Sequence, residues 1–192
     1  MNFQTARRAM IDSQLRTSGV NEPFVLERMG AVAREDFVPE TARGTAYMDR
    51  AQPLGEGRFL ASPVAHGQML AEAHPKPNER VLVVENGNGY LAELVRPLAA
   101  SVDIVTASAV ASGKSKAKDF DLVLVDGAIE DVPKALVKAV SANGRIVSGL
   151  IERGVSRLAV GRRSGDTLAF DKVADADLPV LGMFARKKAW SF

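Results

Sequence analysis

The chain has 192 residues, of which 46% are hydrophobic and 25% are charged, as in an ordinary globular protein with one sizeable domain or a core domain with a small addition. It has no cysteine and two histidines, which excludes disulfides and thiolate metal sites and argues against a histidine-rich metal site. A net charge of +2 is too small to indicate a nucleic-acid partner, and the basic cluster Arg186–Lys188 is interpreted as a solvated surface.

The N-terminal segment does not have the pattern of a secretory signal. Arg7, Arg8 and Asp12 interrupt any apolar stretch there, and no uncharged run along the chain approaches the length that crosses a membrane. The lack of cysteine is typical of proteins in a reducing compartment. We therefore expect a soluble, cytoplasmic protein with no membrane partner.

The first third of the chain is predicted to be helical. Phe3, Met10 and Leu15 fall on one side of a first helix, and a second helix begins at Pro23. From residue 34 to residue 57, prolines and glycines predict irregular turns, after which Pro63 allows a third helix to begin.

The rest of the chain alternates strands with helices, which is typical of a mostly parallel sheet covered by helices. The predicted strands are Val81–Val84, Val102–Val105, Leu122–Val125 and Arg145–Val147, and the predicted helices are Tyr90–Leu98 and Pro133–Val140. The segment around Ser164, Gly165 and Asp166 predicts an antiparallel hairpin that closes the sheet. We expect residues 1–77 to form a helical cap with the substrate-side segment, and residues 78–192 to form the sheet domain.

Several segments are similar, in the same order, to those of the protein-L-isoaspartate O-methyltransferase family. They are "MIDSQLRTSGV", "VLERMGAVAREDFVP", "AYMDRAQPLGEGR", "VLVVENGNGY", "FDLVLVDGAIEDVPKAL" and "GRIVSGL". The resemblance spans nearly the whole chain and implies a Rossmann-like fold that binds S-adenosylmethionine. It also implies methylation of isoaspartyl carboxylates in damaged proteins, the step that begins their repair. The carboxylate is already an anion and needs no strong base, so positioning alone can supply about 7–11 kcal/mol of the barrier reduction.

The cofactor turn departs from the family pattern, which resembles V-L-E-I-G-T-G-S-G-Y. The acidic strand residue of that pattern falls on Val83 and its first glycine on Glu85, whereas Gly87, Gly89 and Tyr90 match. A glycine at the first position lets backbone approach the ligand, and a glutamate fills that space. Glu85 could instead grip the amino group of the cofactor, lie as an internal ligand at the start of the next helix, or point to solvent.

The second departure is a deletion after the second sheet strand. The resemblance implies an acidic residue there for the ribose hydroxyls, followed by a third strand, but the matching position is near Thr106. Residues 107–119 are too few for another helix and strand, so we expect a loop or a short helix. The second strand then becomes the sheet edge, and Lys114, Lys116 and Lys118 suit an exposed edge. The missing acid alone is worth about 1.5–3 kcal/mol of cofactor binding. Asp103 lies in mid-strand and would need a shift of register to replace it.

The third departure lies in the acceptor segment, where the family motif resembles G-x-T-I-S-x-P. The family threonine becomes Phe59 and the serine becomes Ala61. Ser62 is adjacent but is interpreted as a helix cap, and His66, where some relatives also have histidine, is interpreted as structural. Ser62 and His66 are therefore weak catalytic candidates, and no catalytic residue is assigned.

Asp126 follows the fourth sheet strand at the carboxyl edge, where such folds bind ligands, although an Asp-Gly turn would explain it equally well. The candidate cofactor contacts are Glu85, Asn86, Gly87, Asn88, Gly89 and Asp126. No metal ligand is predicted.

Two functional hypotheses remain. One is an active carboxyl methyltransferase whose pocket has lost part of the family motifs but still functions. Its cofactor would be S-adenosylmethionine and its substrate an isoaspartyl protein. The other, which the residues favour, is a non-catalytic relative that binds no cofactor and serves as a binding or assembly module. The apolar run from Leu178 to Phe184, with Trp190 and Phe192, completes the core or forms a self-association face of a homo-oligomer. A nucleic-acid role has only "KSKAK" and "RKK" in its favour.

Overall fold

The structure is a computed structural model that describes residues 2–85 and 87–186. Its N-terminal part is helical, as predicted. Helix α1 (Phe3–Met10) continues through a π turn (Ile11–Leu15) and a 3-10 turn (Arg16–Ser18), and α2 (Pro23–Ala31) and α3 (Pro63–Ala73) follow. Two further 3-10 turns and a small hairpin of β1 (Gln52–Gly55) and β2 (Arg58–Leu60) lie between α2 and α3. The sequence did not predict this hairpin, because its prolines and glycines indicated turns only.

A six-stranded sheet forms the rest of the protein, in the order β4-β3-β5-β6-β7-β8. Strands β3 to β6 are parallel to one another, and β7 and β8 are antiparallel. The strands are β3 (Arg80–Glu85), β4 (Ser101–Thr106), β5 (Phe120–Ile129), β6 (Val140–Glu152), β7 (Val155–Ser164) and β8 (Thr167–Asp175). The helices between them are α4 (Tyr90–Val95), α5 (Ala107–Ala111) and α6 (Lys134–Ala139). The predicted α/β fold class and the C-terminal hairpin are confirmed.

The deletion predicted after the second sheet strand is present. β4 pairs with β3 and lies at the end of the sheet, and a five-residue helix and a loop carry the chain from β4 to β5. Within residues 2–85 and 87–186, no strand takes the place beyond β4. The sheet is therefore one strand shorter at this edge than the family resemblance implies.

Each face of the sheet carries its own hydrophobic core. One core joins alternate residues of β3 and β5, such as Val83 and Leu124, to α2, α3, α4 and the N-terminal helical part. The other joins the intervening residues, such as Leu82 and Val123, to α5, α6 and the C-terminal segment. This alternation follows from the two-residue repeat of a strand that is buried on both faces. Among the described residues, no helix is long and apolar enough to span a bilayer.

The C-terminal segment completes the core in part. Leu178, Leu181 and Phe184 are buried, whereas Val180 and Met183 are exposed, and Trp190 and Phe192 lie outside the described residues. Backbone hydrogen bonds hold the segment along the end of β5: Ala128 donates to the carbonyl of Pro179 (2.8 Å), and Leu181 donates to that of Ala128 (3.0 Å). The segment thus covers one side of the carboxyl end of β5.

The C-terminal segment packs so closely against Gly127 that no side chain fits at this position. The φ of Gly127 is +152°, and an added Cβ would lie 2.7 Å from Leu181 and 2.8 Å from the carbonyl oxygen of Pro179. We expect Gly127→Ala to lower the free energy of unfolding by about 1–3 kcal/mol, measured by urea denaturation. Gly182→Ala is the matched control, because no atom lies within 4 Å of its added Cβ. Equal stability of the two variants would contradict this packing.

Candidate functional site

The turn after β3 is folded around the side chain of Glu85. This residue ends β3 and is 4% exposed, so the interpretation that it points to solvent does not hold. Its Oε2 accepts a hydrogen bond from the backbone N–H of Gly89 at 2.8 Å. Gly89 precedes α4 and, like Gly87, has a positive φ, which is why glycine is favoured at both positions. The carboxylate therefore faces back into its own turn. Asn86 lies outside the described residues.

Asn88 links this turn to β5. Its Nδ2 donates to Oδ2 of Asp126 at 2.9 Å, and its Oδ1 accepts from the backbone N–H of Tyr90 at 2.9 Å. Both ends of the amide are thus used within the protein. The contact fixes the turn against the neighbouring strand.

Asp126 lies within β5, which continues to Ile129, so the expectation that it ends the strand in an Asp-Gly turn is wrong. The ladder between β5 and β6 is irregular between Leu124 and Ala128, which lets the strand bend at Asp126 and resume. The residue is 6% exposed. Its Oδ1 contacts Nε2 of His66 at 2.8 Å, while its Oδ2 accepts from Asn88.

His66 contacts Arg34 through its other ring nitrogen. The Nη1 of Arg34 lies 3.2 Å from Nδ1 of His66, and both side chains are fully buried. A guanidinium only donates, so Nδ1 accepts, and the neutral imidazole donates its Nε2–H to Asp126. Arg34 also donates to the carbonyls of Ala46 (2.7 Å) and Ala61. One positive and one negative charge are therefore joined through a neutral ring.

The ring of Tyr90 closes this cluster on one side. The guanidinium of Arg34 lies 4.9 Å from its centroid, and the rings of Phe37 and His66 each lie 5.2 Å from it. Such contacts stabilise a desolvated cation. The site at the carboxyl edge of the sheet is therefore occupied by protein side chains that hold one another.

The acceptor segment supplies no nucleophile or base to this cluster. Ala61 is 1% exposed and contributes its carbonyl to Arg34. Ser62 caps α3, where its hydroxyl accepts from the N–H of Ala65 at 3.2 Å. Phe59 is 42% exposed on the β1–β2 hairpin. Of the two weak candidates, His66 joins the cluster and Ser62 does not.

The end of β4 likewise presents no acid. Thr106 caps α5, where its hydroxyl accepts from the N–H of Ala109 at 3.2 Å. Asp103 lies in the middle of β4, in register with Leu82 rather than with the turn. Neither residue reaches the cluster formed around Asp126.

The two carboxylates of the site have opposite pKa shifts. Burial raises the pKa of Glu85, the hydrogen bond from Gly89 opposes this, and the charge of Asp126 adds to it. Burial also opposes ionisation of Asp126, but the contact with His66, the hydrogen bond from Asn88 and the charge of Arg34 hold its pKa below the ordinary value. Asp126 therefore stays ionised to a lower pH than an ordinary aspartate, whereas Glu85 stays protonated to a higher pH than an ordinary glutamate.

Arg34 is the site residue that sequence reasoning missed. It lies in a 3-10 turn, Arg34–Phe37, where no apolar periodicity marks it as buried. The only signal available was a charged residue within the "VLERMGAVAREDFVP" segment that resembles the family. Its partners come from residues 46, 61 and 66, and a local pattern does not reveal such contacts.

Asp126→Asn tests the charge balance of the cluster. The amide keeps the shape but leaves Arg34 as an uncompensated buried cation, so we expect a loss of about 3–5 kcal/mol in the free energy of unfolding at neutral pH. Asp12→Asn is the control, because the pairs that Asp12 makes with Arg8 and Arg16, at 3.8 and 3.7 Å, are exposed to solvent. Urea denaturation of both variants is the measurement. Similar stability for the two would contradict a charged cluster.

Glu85→Gln tests the raised pKa of Glu85. In the interval between the unfolded and the folded pKa, the native state holds more protons, so the stability of the natural protein falls as the pH rises. The stability of Glu85→Gln relative to the natural protein should therefore increase from about pH 4.5 upward and level off above the folded pKa. Urea denaturation across this range gives the curve. A relative stability that declines with rising pH would show that the carboxylate is stabilised by ionisation, contrary to its burial.

The chain matches the family model described as protein-L-isoaspartate(D-aspartate) O-methyltransferase over residues 5–110. It is 31% identical over 207 aligned positions to the protein-L-isoaspartate O-methyltransferase of Roseiflexus castenholzii, covering 95% of this chain and 94% of that protein. It is 32% identical to the protein of the same name from Chlorobium phaeovibrioides, covering 85% and 84% of the two chains.

Solved structures give the same picture of the fold. A crystal structure from Plasmodium falciparum, described as a protein-L-isoaspartate O-methyltransferase in complex with S-adenosyl-L-homocysteine, superposes with a TM-score of 0.73 at 16% identity. The match covers 95% of this chain and 99% of that one. At this identity the structure supports the Rossmann-like fold, while the closer sequence relatives establish the lineage. The chain belongs to the protein-L-isoaspartate O-methyltransferase family.

Proposed function

We propose that this family member has closed its cofactor turn with its own Glu85 and acts as a binding or assembly module rather than as a methyltransferase. The observation that carries the proposal is the 2.8 Å hydrogen bond from the N–H of Gly89 to the buried carboxylate of Glu85. This is the arrangement of an internal ligand. The backbone N–H of Gly89 is thereby bonded within the chain and is not available to a bound molecule.

The position of Glu85 explains why the closure would exclude the family cofactor. In Rossmann-like folds, small residues in this turn let the backbone approach the ligand. Here a carboxylate fills the place of the first family glycine, and S-adenosylmethionine would bring a second carboxylate toward it. Two like charges in a desolvated site repel one another strongly. The residues present therefore do not fit the cofactor.

The other side of the cleft gives independent support. Thr106 ends β4 and caps α5 with its hydroxyl, and residues 107–118 contain no acidic side chain that could receive ribose hydroxyls. The C-terminal segment lies along the end of β5, with Leu181 and Phe184 buried in the core that also includes Ala107 and Val110 of α5. Ligands of open α/β sheets bind outside the carboxyl ends of the strands, and here the carboxyl end of β5 is covered by backbone and apolar side chains of this segment.

The second candidate is an active S-adenosylmethionine-dependent methyltransferase of isoaspartyl proteins. The identity of 31% over 95% of the chain and the retention of Gly87, Gly89 and Tyr90 favour it. In that case the protein would position the substrate carboxylate in line with the methyl group and would need no base. Glu85 would have to rotate away from Gly89 when the cofactor entered.

The expected partner differs between the two candidate functions. A methyltransferase would take an isoaspartyl protein as its substrate, whereas a binding module would bind a protein partner or a second copy of the chain. We place either form in the cytoplasm, since a chain that lacks cysteine is typical of a reducing compartment.

Calorimetric titration with S-adenosylhomocysteine separates the two candidates. We expect the natural protein to release no heat at millimolar ligand. Glu85→Gly removes both the volume and the charge, so it should bind at least about tenfold more tightly than the natural protein. Glu85→Gln is the matched variant that keeps the volume and removes the charge.

Each outcome of this titration is decisive. Micromolar binding by the natural protein would overturn the closed turn and support the enzyme. Failure of Glu85→Gly to bind would show that Glu85 is not the group that closes the turn. Binding by both variants would assign the exclusion to charge, and binding by Glu85→Gly alone would assign it to volume.

A further inference from the structure

Strand β4 forms one edge of the sheet. β4 pairs with β3 along its whole length, from Arg80↔Ser101 to Glu85↔Thr106, and it is the last strand on this side. In the part of the chain that the structure describes, no strand pairs with its outer side. An unpaired strand edge offers a row of backbone donors and acceptors to another chain.

A basic groove runs beside this edge. It has a volume of about 680 Å³ and lies between β4 and residues 114–119, with Arg80 and Phe120 also lining it. Lys114, Lys116 and Lys118 are exposed, and the two residues between them are half-buried, so the lysines project outward from an extended segment. The guanidinium of Arg80 lies 4.7 Å from the centroid of the Phe120 ring.

The charge of the groove is positive. Its cationic residues are Arg80, Lys114, Lys116 and Lys118, and its acidic residues are Asp103 and Asp119. The excess is therefore two positive charges beside the open edge. Acidic side chains on a partner would therefore complement the charge of the groove and favour its binding.

The two faces of β4 differ at the edge. Asp103 is in register with Leu82 and so shares the face that contains the groove. Ile104 also lines the groove, but it is in register with Val83, which places its side chain on the opposite face. Ile104 is 47% exposed there, so its side chain is accessible to an added strand. A strand added beside β4 would thus place alternate side chains near the lysines and near Ile104.

We propose that the β4 edge binds an extended segment of a partner protein as an added strand, in which acidic residues alternate with apolar ones. The acidic residues lie against the lysine groove, and the apolar residues cover Ile104. Main-chain hydrogen bonds supply affinity in this mode, and the alternating side chains supply specificity. The inference goes beyond the proposed function and holds whether or not the cofactor turn is closed.

The competing explanation is that the lysines only protect an exposed edge from self-association. The two explanations differ in what happens when the lysine charges are reversed. If the lysines only protect the edge, the peptide does not bind to the natural protein, so charge reversal has no binding to weaken. A docking role predicts weaker binding of an acidic strand.

The probe is a short fluorescent peptide in which glutamate alternates with valine, and binding is read by fluorescence anisotropy at low salt. A peptide with the same composition but with the glutamates in one block is the control for the alternating pattern. Hydrogen exchange of the amides of Ser101–Thr106 gives an independent readout. We expect the alternating peptide to bind, to slow exchange in β4, and to weaken as salt is added.

The triple variant K114E/K116E/K118E should bind the alternating peptide about tenfold more weakly or worse. The matched variant R8E/R16E/R43E changes the same charge at exposed positions on the N-terminal part and should bind like the natural protein. Equal weakening by both variants, or binding without protection of β4, would overturn the proposal. A protein that forms dimers through β4 and ignores the peptide would also overturn it, in favour of a second copy.

Discussion

The carboxylate of Asp126 is the charge on which the site depends. It lies inside β5, buried on every side, and a carboxylate in that position persists only when its oxygens are hydrogen-bonded and its charge is balanced. His66 and Asn88 take the two oxygens, and Arg34 balances the charge through the imidazole. Four separate segments are thereby joined: a 3-10 turn of the N-terminal part, α3, β5 and the turn after β3.

This constraint carries over to the cofactor turn. Asn88 is held between Asp126 and the N–H of Tyr90, and Glu85 accepts from the N–H of Gly89, so the described residues of the turn are bonded to β5 and to one another. The same residues that would meet a ligand in a Rossmann-like protein here meet one another. In the function that we propose, the family scaffold is kept and contacts within the chain take the place of its ligand contacts.

The fold could be predicted because it rests on local patterns. Apolar runs such as Val81–Val84 and the turn at Ser164–Asp166 mark their elements directly, and the deletion after β4 is visible as missing length. The site could be predicted only in part. Glu85 stood out by its position in a motif, but the burial of Arg34 and the place of Asp126 inside a bent strand arise from contacts distant in sequence. The β1–β2 hairpin was missed because prolines and glycines occur in both loops and short hairpins.

The most direct measurement is a crystal structure of the protein grown with saturating S-adenosylhomocysteine. A closed turn predicts that Oε2 of Glu85 stays within hydrogen-bond distance of the Gly89 N–H, with no ligand in the cleft. Density for the ligand beside Gly87 and Gly89, with the Glu85 side chain rotated out, would contradict it.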